Sequence, residues 1–468
     1  MYSYGYGRCI MSRIYPDIHD ITKEDLTRLC DEYRRNNFLD PEISEQLGVK
    51  RGLRNSDGTG VLAGLTNICD VRGYKKDENG NIIPAEGKLV YRGISLDELV
   101  EEAMNNDRFM FEEVVWLLLF GSLPTEDELK SFKAMLEDHR ELPAGFAETM
   151  ILSAPSPNIM NKMARSVLAM YSYDENADDT SLENILVQSV NMIAQMPTMM
   201  VYAYQISRHA YHHESLYFHY PKSGISTAEH ILATYRPDQE YTKAEAKLLD
   251  LCLMVHADHG GGNNSTFANR VLSSTGTDTY SAIASAICSL KGPKHGGANL
   301  KVMHQLDDIM AHVSYPYDEE EVKDYLRKIL LRQASDRSGL IYGVGHAVYT
   351  LSDPRAQILK KYSRDLAYEK GLGPQHEMLC LIEKLAPEVF LEVKGNAKNM
   401  CANMDLFSGL IYRILGIDES LYTPIFAIAR VAGWCAHRME EVEFANRIMR
   451  PAYKYVGTDQ AYLPVEER

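Results

Sequence analysis

Four short segments in the second half of the chain set ionisable side chains among glycines or deep in apolar runs. In His256-Ala257-Asp258-His259-Gly260-Gly261-Gly262-Asn263, two histidines three residues apart share a helix face. With Asp258 between them they read either as a metal site short of one ligand or as a helix C-terminus, where the dipole favours His and glycines stop the helix. In Gly292-Pro293-Lys294-His295-Gly296-Gly297-Ala298-Asn299, glycines on both sides let backbone or ligand approach the imidazole closely. The segment has no G-K-[ST] and follows no strand, so it is neither a Walker loop nor a dinucleotide fingerprint. In Gly343-Val344-Gly345-His346-Ala347-Val348-Tyr349, a second histidine rides a glycine loop, followed by Asp353-Pro354-Arg355. Asp353 there reads as a helix cap with Pro354 in the first turn. The fourth set is Asn403-Met404-Asp405, then Arg430 within the apolar run 425–434, then Arg450-Pro451. Asp405 reads as an N-cap or first-turn acid. Arg430 is harder to explain structurally, because a guanidinium in an apolar run is costly to bury unless it meets a carboxylate or phosphate. An internal ion pair and an anionic ligand are equal contenders.

Helices must position these residues. Ile159, Met163, Val167 and Met170 are spaced 4, 4 and 3, and Leu406, Leu410, Ile411, Ile414 and Leu415 form a second stripe ended by Gly416. Phe111 to Phe120 is apolar nearly all round and predicts a buried helix ending at Gly121. Thr423-Pro424 predicts the start of a long apolar helix through Trp434. Strand signals are few: an Asn79-Gly80 turn flanked by Ile82-Ile83 and Leu89-Val90-Tyr91 predicts a small hairpin within 75–91. The fold class is therefore all-α with minor β near the N-terminus.

With 49 Lys+Arg against 65 Asp+Glu, the 468-residue chain carries a formal charge of −16, which argues against a general nucleic-acid binder. It equally disfavours anionic ligands unless positive charge is gathered locally. The longest apolar run, Val114 to Phe120, is far short of the ~20 residues of a membrane helix. The Tyr- and Gly-rich start, with Met11 as an alternative first residue, lacks a signal-peptide core. Eight scattered cysteines without a C-x-x-C pair predict reduced, cytoplasmic thiols with no zinc site.

Together the segments resemble the citrate synthase family. The resemblance rests on the 256–263 segment, GPKHGGAN at 292–299, GVGHAVY with DPR at 343–355, NMDLFSG at 403–409, FAIARVAGW at 426–434 and Arg450-Pro451. It extends to Gly60 to Thr66, Leu89 to Gly93 and Phe111 to Pro124, and so covers roughly 50–460. It implies condensation of acetyl-CoA with oxaloacetate, or of propionyl-CoA in the 2-methylcitrate synthases, by a homodimer needing no cofactor and no metal. It also implies a large helical domain, 1–296 with 417–468, and a small one, 297–416, around a cleft. By the resemblance Asp405 is the base, His295 steadies the enol and His346 polarises the keto group. His259, Asn263, Arg355, Arg430 and Arg450 bind oxaloacetate, Arg450 from across the interface, and His256 supports them. Leu340, Ile341, Gly343, Gly345, Ala347, Lys398 and Asn403 match coenzyme A contacts. The third glycine of 260–262 and Ala452 depart from the pattern, standing where members often carry an acid and a second arginine. A metal-dependent hydrolase built on His256, Asp258 and His259 is the competing reading.

Overall fold

The segment FEEVVWLLLF has no polar stripe to offer water, so as a helix it is stable only inside the protein. In the computed structural model, which describes residues 22–55, 57–79, 81–395, 400–445 and 447–467, it is the fourth of seventeen α-helices among the described residues. Gly121 ends it in the left-handed region at φ +86°, and only Trp116 and Phe120 of its apolar side chains reach the surface.

The helices are α1 (Lys23–Asn36), α2 (Pro41–Gln46), α3 (Leu96–Asn105), α4 (Phe111–Phe120), α5 (Glu126–Asp138), α6 (Ile159–Met170), α7 (Leu182–His212), α8 (Thr227–Tyr235) and α9 (Lys243–His256). They continue as α10 (Asn264–Ser273), α11 (Thr279–Lys291), α12 (Ala298–Met310), α13 (Glu319–Leu330), α14 (Pro354–Glu369), α15 (Gly373–Lys394), α16 (Asp405–Ile414) and α17 (Tyr422–Phe444). Many begin where the sequence dictates. Capping boxes at Ser95/Glu98, Thr125/Glu128, Ser226/Glu229 and Thr242/Glu245 satisfy the free N–H groups of α3, α5, α8 and α9. The last helix starts at Tyr422 and runs ten residues beyond Trp434, so its apolar run marks only half of it.

Helix α17 is buried from Tyr422 to Met439, interrupted only by Thr423, and packs on α4, α7, α9, α10 and α11. Helices α12 to α16 pack chiefly on one another and meet the larger group mainly through α9 and α3, with smaller contacts from α12 to α17 and from α14 to the β-hairpin. Each fully buried Leu or Ile on these faces stabilises the fold by about 1.5–3 kcal/mol.

A three-stranded antiparallel sheet, β1 (Cys69–Lys76), β2 (Ile82–Tyr91) and β3 (Ile94–Ser95), is the minor β component. Both apolar segments expected to flank the turn lie in β2, and the partner strand reaches back to Cys69. That alternation is weak in the sequence because β1 buries little beyond Cys69 and Gly73. The hairpin closes on residues 348–352: a Cβ at Gly73 would lie 2.3 Å from the Val348 carbonyl, and one at Gly87 2.2 Å from that of Ser352. Thr350 completes the grip, its hydroxyl accepting the Ala85 N–H at 3.0 Å.

All seven described cysteines are free thiols, and no helix among the described residues is long and apolar enough to cross a membrane. The N-terminal segment with Met11 and Cys9, the turn residue Gly80, and Lys398 lie outside the described residues.

Candidate active site

The segment held by the hairpin separates His346 from Arg355. His346 Nδ1 accepts the N–H groups of Val348 and Tyr349, both at 3.0 Å, so the neutral ring carries its proton on Nε2. Burial, reinforced by Arg355, pulls its pKa down to about 4, so the ring is a neutral hydrogen-bond donor at pH 7. Beyond it Asp353 caps α14 and grips Arg355, with Nε at 3.0 Å and Nη2 at 2.8 Å from the two carboxylate oxygens. Burial opposes the guanidinium charge, but Asp353 outweighs it and raises the Arg355 pKa.

The loop 343–345 runs beside 401–403. Gly345 N–H donates to the Cys401 carbonyl at 2.8 Å, Asn403 N–H to Gly343 at 2.9 Å, and the Asn403 amide to the Gly345 carbonyl at 2.9 Å. The Asn403 side-chain oxygen also accepts the Asp405 N–H at 3.0 Å and so seats the first residue of α16. Gly343 sits at φ +76°, and a Cβ there would be 2.9 Å from Leu406 Cα. Gly343→Ala is therefore expected to push the loop off α16, costing about 1–3 kcal/mol of stability. A lowered Tm with impaired turnover would show it; an unchanged Tm would contradict it. Leu340 and Ala347 are exposed on this loop, whereas the Ile341 side chain is buried in the core and offers a ligand only its backbone.

Helix α9 ends at His256, and the following turn delivers His259 and Asn263. His256 Nδ1 donates to the Cys252 carbonyl at 2.6 Å, and burial takes its pKa down to about 3. His259 Nε2 is buried without a partner among the described residues, and its ring lies edge-on to His346 with centroids 5.3 Å apart. Burial first, then the charges of Arg355, His346, Arg430 and His295, hold it well below the usual range. Asn263 stands at the N-cap position of α10, and its side-chain oxygen accepts the Ser265 hydroxyl at 2.9 Å in place of a backbone N–H. The Ser265 N–H donates to His295 Nε2 at 3.3 Å, which puts the proton of neutral His295 on Nδ1. Burial, with Arg430 adding to it, brings the His295 pKa down to about 4.

Arg430 is wholly buried. Its Nε donates to the His256 carbonyl at 2.7 Å, while Nη1 and Nη2 have no partner among the described residues. Two charged donors left open in a dry site constitute an anion-binding fork. Asp405 faces the same region. Burial drives its pKa up to about 6 against the attraction of Arg355 and Arg430. A carboxylate poised near neutrality, two neutral imidazole donors and an open guanidinium suit proton abstraction next to a carbonyl in an anionic substrate.

Arg450 does not join this cluster within one chain. Its side chain is exposed, and the neighbouring Met449 N–H binds Ser274 Oγ at 3.2 Å, past the C-terminal end of α10. Asn263 and Ser265 sit at the opposite end, about 15 Å away along a ten-residue helix.

The family described as "Citrate synthase, C-terminal domain" matches residues 54–452. The chain belongs to the citrate synthase family. It is 36% identical over 387 residues to a citrate synthase of Haloferax volcanii, covering 82% of this chain and 93% of the relative. It is 32% identical over 425 residues to 2-methylcitrate synthase 1 of Corynebacterium glutamicum, covering 90% and 98%. The solved citrate synthase of Thermotoga maritima superposes with a TM-score of 0.70 at 29% identity, covering 90% of this chain and 99% of that one. The Thermoplasma acidophilum enzyme, solved with carboxymethyl coenzyme A and oxaloacetate, superposes with a TM-score of 0.71 at 27% identity over the same shares. As a member of this family the chain is an enzyme of the acyltransferase type.

The metal-hydrolase reading gains nothing from family or geometry. The His256 ring is turned to the Cys252 carbonyl and Asp258 to the Gly260 N–H, and no three described His, Cys, Asp or Glu side chains are grouped to hold a metal ion. Some site residues escape the sequence. Asp353 reads only as a cap, although it also orients Arg355. Ser265, which accepts the Trp434 indole N–H at 3.2 Å, is marked only by its place two residues after the Asn263 cap. His437 is marked by lying seven residues after Arg430, on the same face of α17.

Proposed function

We propose that this enzyme is a citrate synthase, condensing acetyl-CoA with oxaloacetate and hydrolysing the citryl thioester to citrate and coenzyme A. The observation that carries the reading is Asp405, a half-buried carboxylate with its pKa raised to about 6, in one electrostatic neighbourhood with Arg355 and Arg430. Asp405 takes a proton from the methyl carbon while His295 Nδ1–H steadies the developing enol oxygen. The enol carbon then bonds to the keto carbon of oxaloacetate, whose oxygen gathers charge against His346 Nε2–H. Arg355, Arg430 and His259 hold the substrate, with Asn263 and His256 behind them. Water finally replaces coenzyme A at the thioester carbonyl. Leu340, Ile341, Gly343, Gly345, Ala347 and Asn403 line the thioester arm, and Lys398 receives the nucleotide phosphates.

The helices from 297 to 416 form a small domain closing on a large one, a division supported by their packing chiefly on one another. The enzyme is a cytoplasmic homodimer, and Arg450 of the partner subunit completes the oxaloacetate site. Arg450→Leu is then expected to raise the KM for oxaloacetate about 10- to 50-fold. Co-expression with an Asp405→Asn chain would restore one working site per mixed dimer. Absence of restored activity would place Arg450 outside the site.

The 2-methylcitrate synthase reading is favoured by the Corynebacterium relative, which spans more of this chain than the Haloferax enzyme does. Thiol release with oxaloacetate and either acetyl- or propionyl-CoA separates the two. A higher kcat/KM for acetyl-CoA is expected. A higher value for propionyl-CoA would assign 2-methylcitrate synthesis, and release with neither would overturn both.

A further inference from the structure

Three residues on one face of α17 bind three consecutive residues of the turn that carries His259. Arg430 Nε donates to the His256 carbonyl at 2.7 Å, Gly433 N–H to the Ala257 carbonyl at 3.2 Å, and His437 Nε2 to Asp258 Oδ2 at 3.2 Å. Positions i, i+3 and i+7 recur along a helix stripe, so the pairing follows the helical repeat. The His437 ring is oriented from its other side, where Arg270 Nη1 donates to Nδ1 at 2.8 Å and leaves the ring proton on Nε2. Arg270 is in turn held by Glu440 at 2.9 Å and Glu441 at 3.0 Å. Asp258 and His437 are both wholly buried.

Asp258 supplies the strongest attraction felt by the Arg430 charge, which burial otherwise disfavours. Yet the two do not hydrogen-bond. Asp258 Oδ2 is occupied by His437 and by the Gly260 N–H at 2.9 Å. Its Oδ1 is lodged over Gly433, where a Cβ would stand 2.4 Å away. The carboxylate therefore compensates the guanidinium without filling its fork, and Nη1 and Nη2 stay open. Arg355 shows the contrast, because Asp353 hydrogen-bonds two of its nitrogens directly. Burial works against ionised Asp258, but His437, Arg430 and the Gly260 N–H outweigh it and hold its carboxyl below the usual range.

Building on the citrate synthase reading, we propose that Asp258 and His437 are positioning residues for oxaloacetate, holding a buried negative charge near Arg430 but out of its fork while fixing the turn that presents His259. The metal-like spacing of 256–259 is thereby accounted for without a metal. Gly433 belongs to the same device, since any side chain there would displace Asp258.

The test is Asp258→Asn, which keeps an acceptor for Gly260 and removes the charge. On the full-length enzyme, oxaloacetate affinity is measured by calorimetry without acyl-CoA, and both KM values by thiol release. The Kd and KM for oxaloacetate are expected to rise about 30-fold, with the KM for acetyl-CoA within about twofold and kcat within about fivefold. His437→Gln, which retains a donor, raises the same two constants about fivefold. A merely structural role would lower Tm and kcat and leave both KM values unchanged. That result, or loss of folding in both variants, overturns the proposal. If the wild type binds oxaloacetate but releases no thiol, the condensation reading fails and the Kd ratio alone decides the proposal. A wild type that does not bind oxaloacetate sinks both.

Discussion

Asp405→Asn is expected to lower kcat about 10³-fold and, at neutral pH, to make the protein more stable. Both effects come from one fact of placement. Asp405 opens α16 on a seat made by Asn403, in surroundings dry enough to lift its pKa from 3.8 to about 6. A stronger base near operating pH is what a weakly acidic methyl group requires, and the amide that replaces it accepts no proton. The sign of the stability effect follows from linkage. The folded state binds this proton more tightly than the unfolded chain does, so stability falls as pH rises from about 4 through 6. Above that the ionised carboxylate costs the fold up to about 3 kcal/mol, which Asn removes. The wild-type kcat/KM should climb about tenfold per unit below pH 6 and level off above it. His295 and His346, each near 4, add no limb in that range. A variant retaining more than a tenth of wild-type kcat, or one with a lower Tm at pH 7.5, would remove Asp405 from the role of base.

The sequence makes the helices legible because their signals are local. The Phe111–Phe120 run, the Asp353-Pro354 cap and the Leu406–Leu415 stripe each declare an element within a few residues, and the structure has all three. The chemistry-bearing segments are legible because glycine surrounds their histidines for reasons visible in isolation. What stays hidden is long-range. The hairpin's grip on 348–352 joins residues 265 or more positions apart, and Gly73 and Gly87 give no sign of it until the two backbones meet. Arg430 illustrates the boundary. Its burial is expected from the apolar run, but an internal ion pair and an anionic ligand were equal contenders from the sequence. Two guanidinium nitrogens without a partner among the described residues, with Asp258 held aside, favour the ligand. Global charge is misleading for the same reason. A chain at −16 can still offer an anion a site where Arg355 and Arg430 converge, and convergence is a property of the fold.

His346→Ala is expected to cost about 10²–10³ in kcat while the KM for oxaloacetate moves only a few-fold. The reason lies in which nitrogen is free. Two backbone N–H groups, from Val348 and Tyr349, occupy Nδ1 and fix the ring with Nε2–H as its donor. Those amides belong to the segment that the hairpin holds, so the donor is aligned before substrate arrives and needs no reorganisation as charge develops on the keto oxygen. Binding is a separate matter, because under the proposed function the substrate carboxylates fall to Arg355 and Arg430, which this substitution leaves in place. The loss should therefore fall on the chemical step. Its pH dependence is equally specific. With the imidazole pKa near 4, the neutral ring is the working form, so wild-type activity must not rise as pH falls toward 4. An increase there would mean that an imidazolium polarises the ketone. A His346→Ala enzyme whose oxaloacetate KM rose 100-fold at unchanged kcat would make the residue a binder of ground state alone. The first outcome would contradict the tautomer that the two amides impose, and the second the role of that donor in the chemical step.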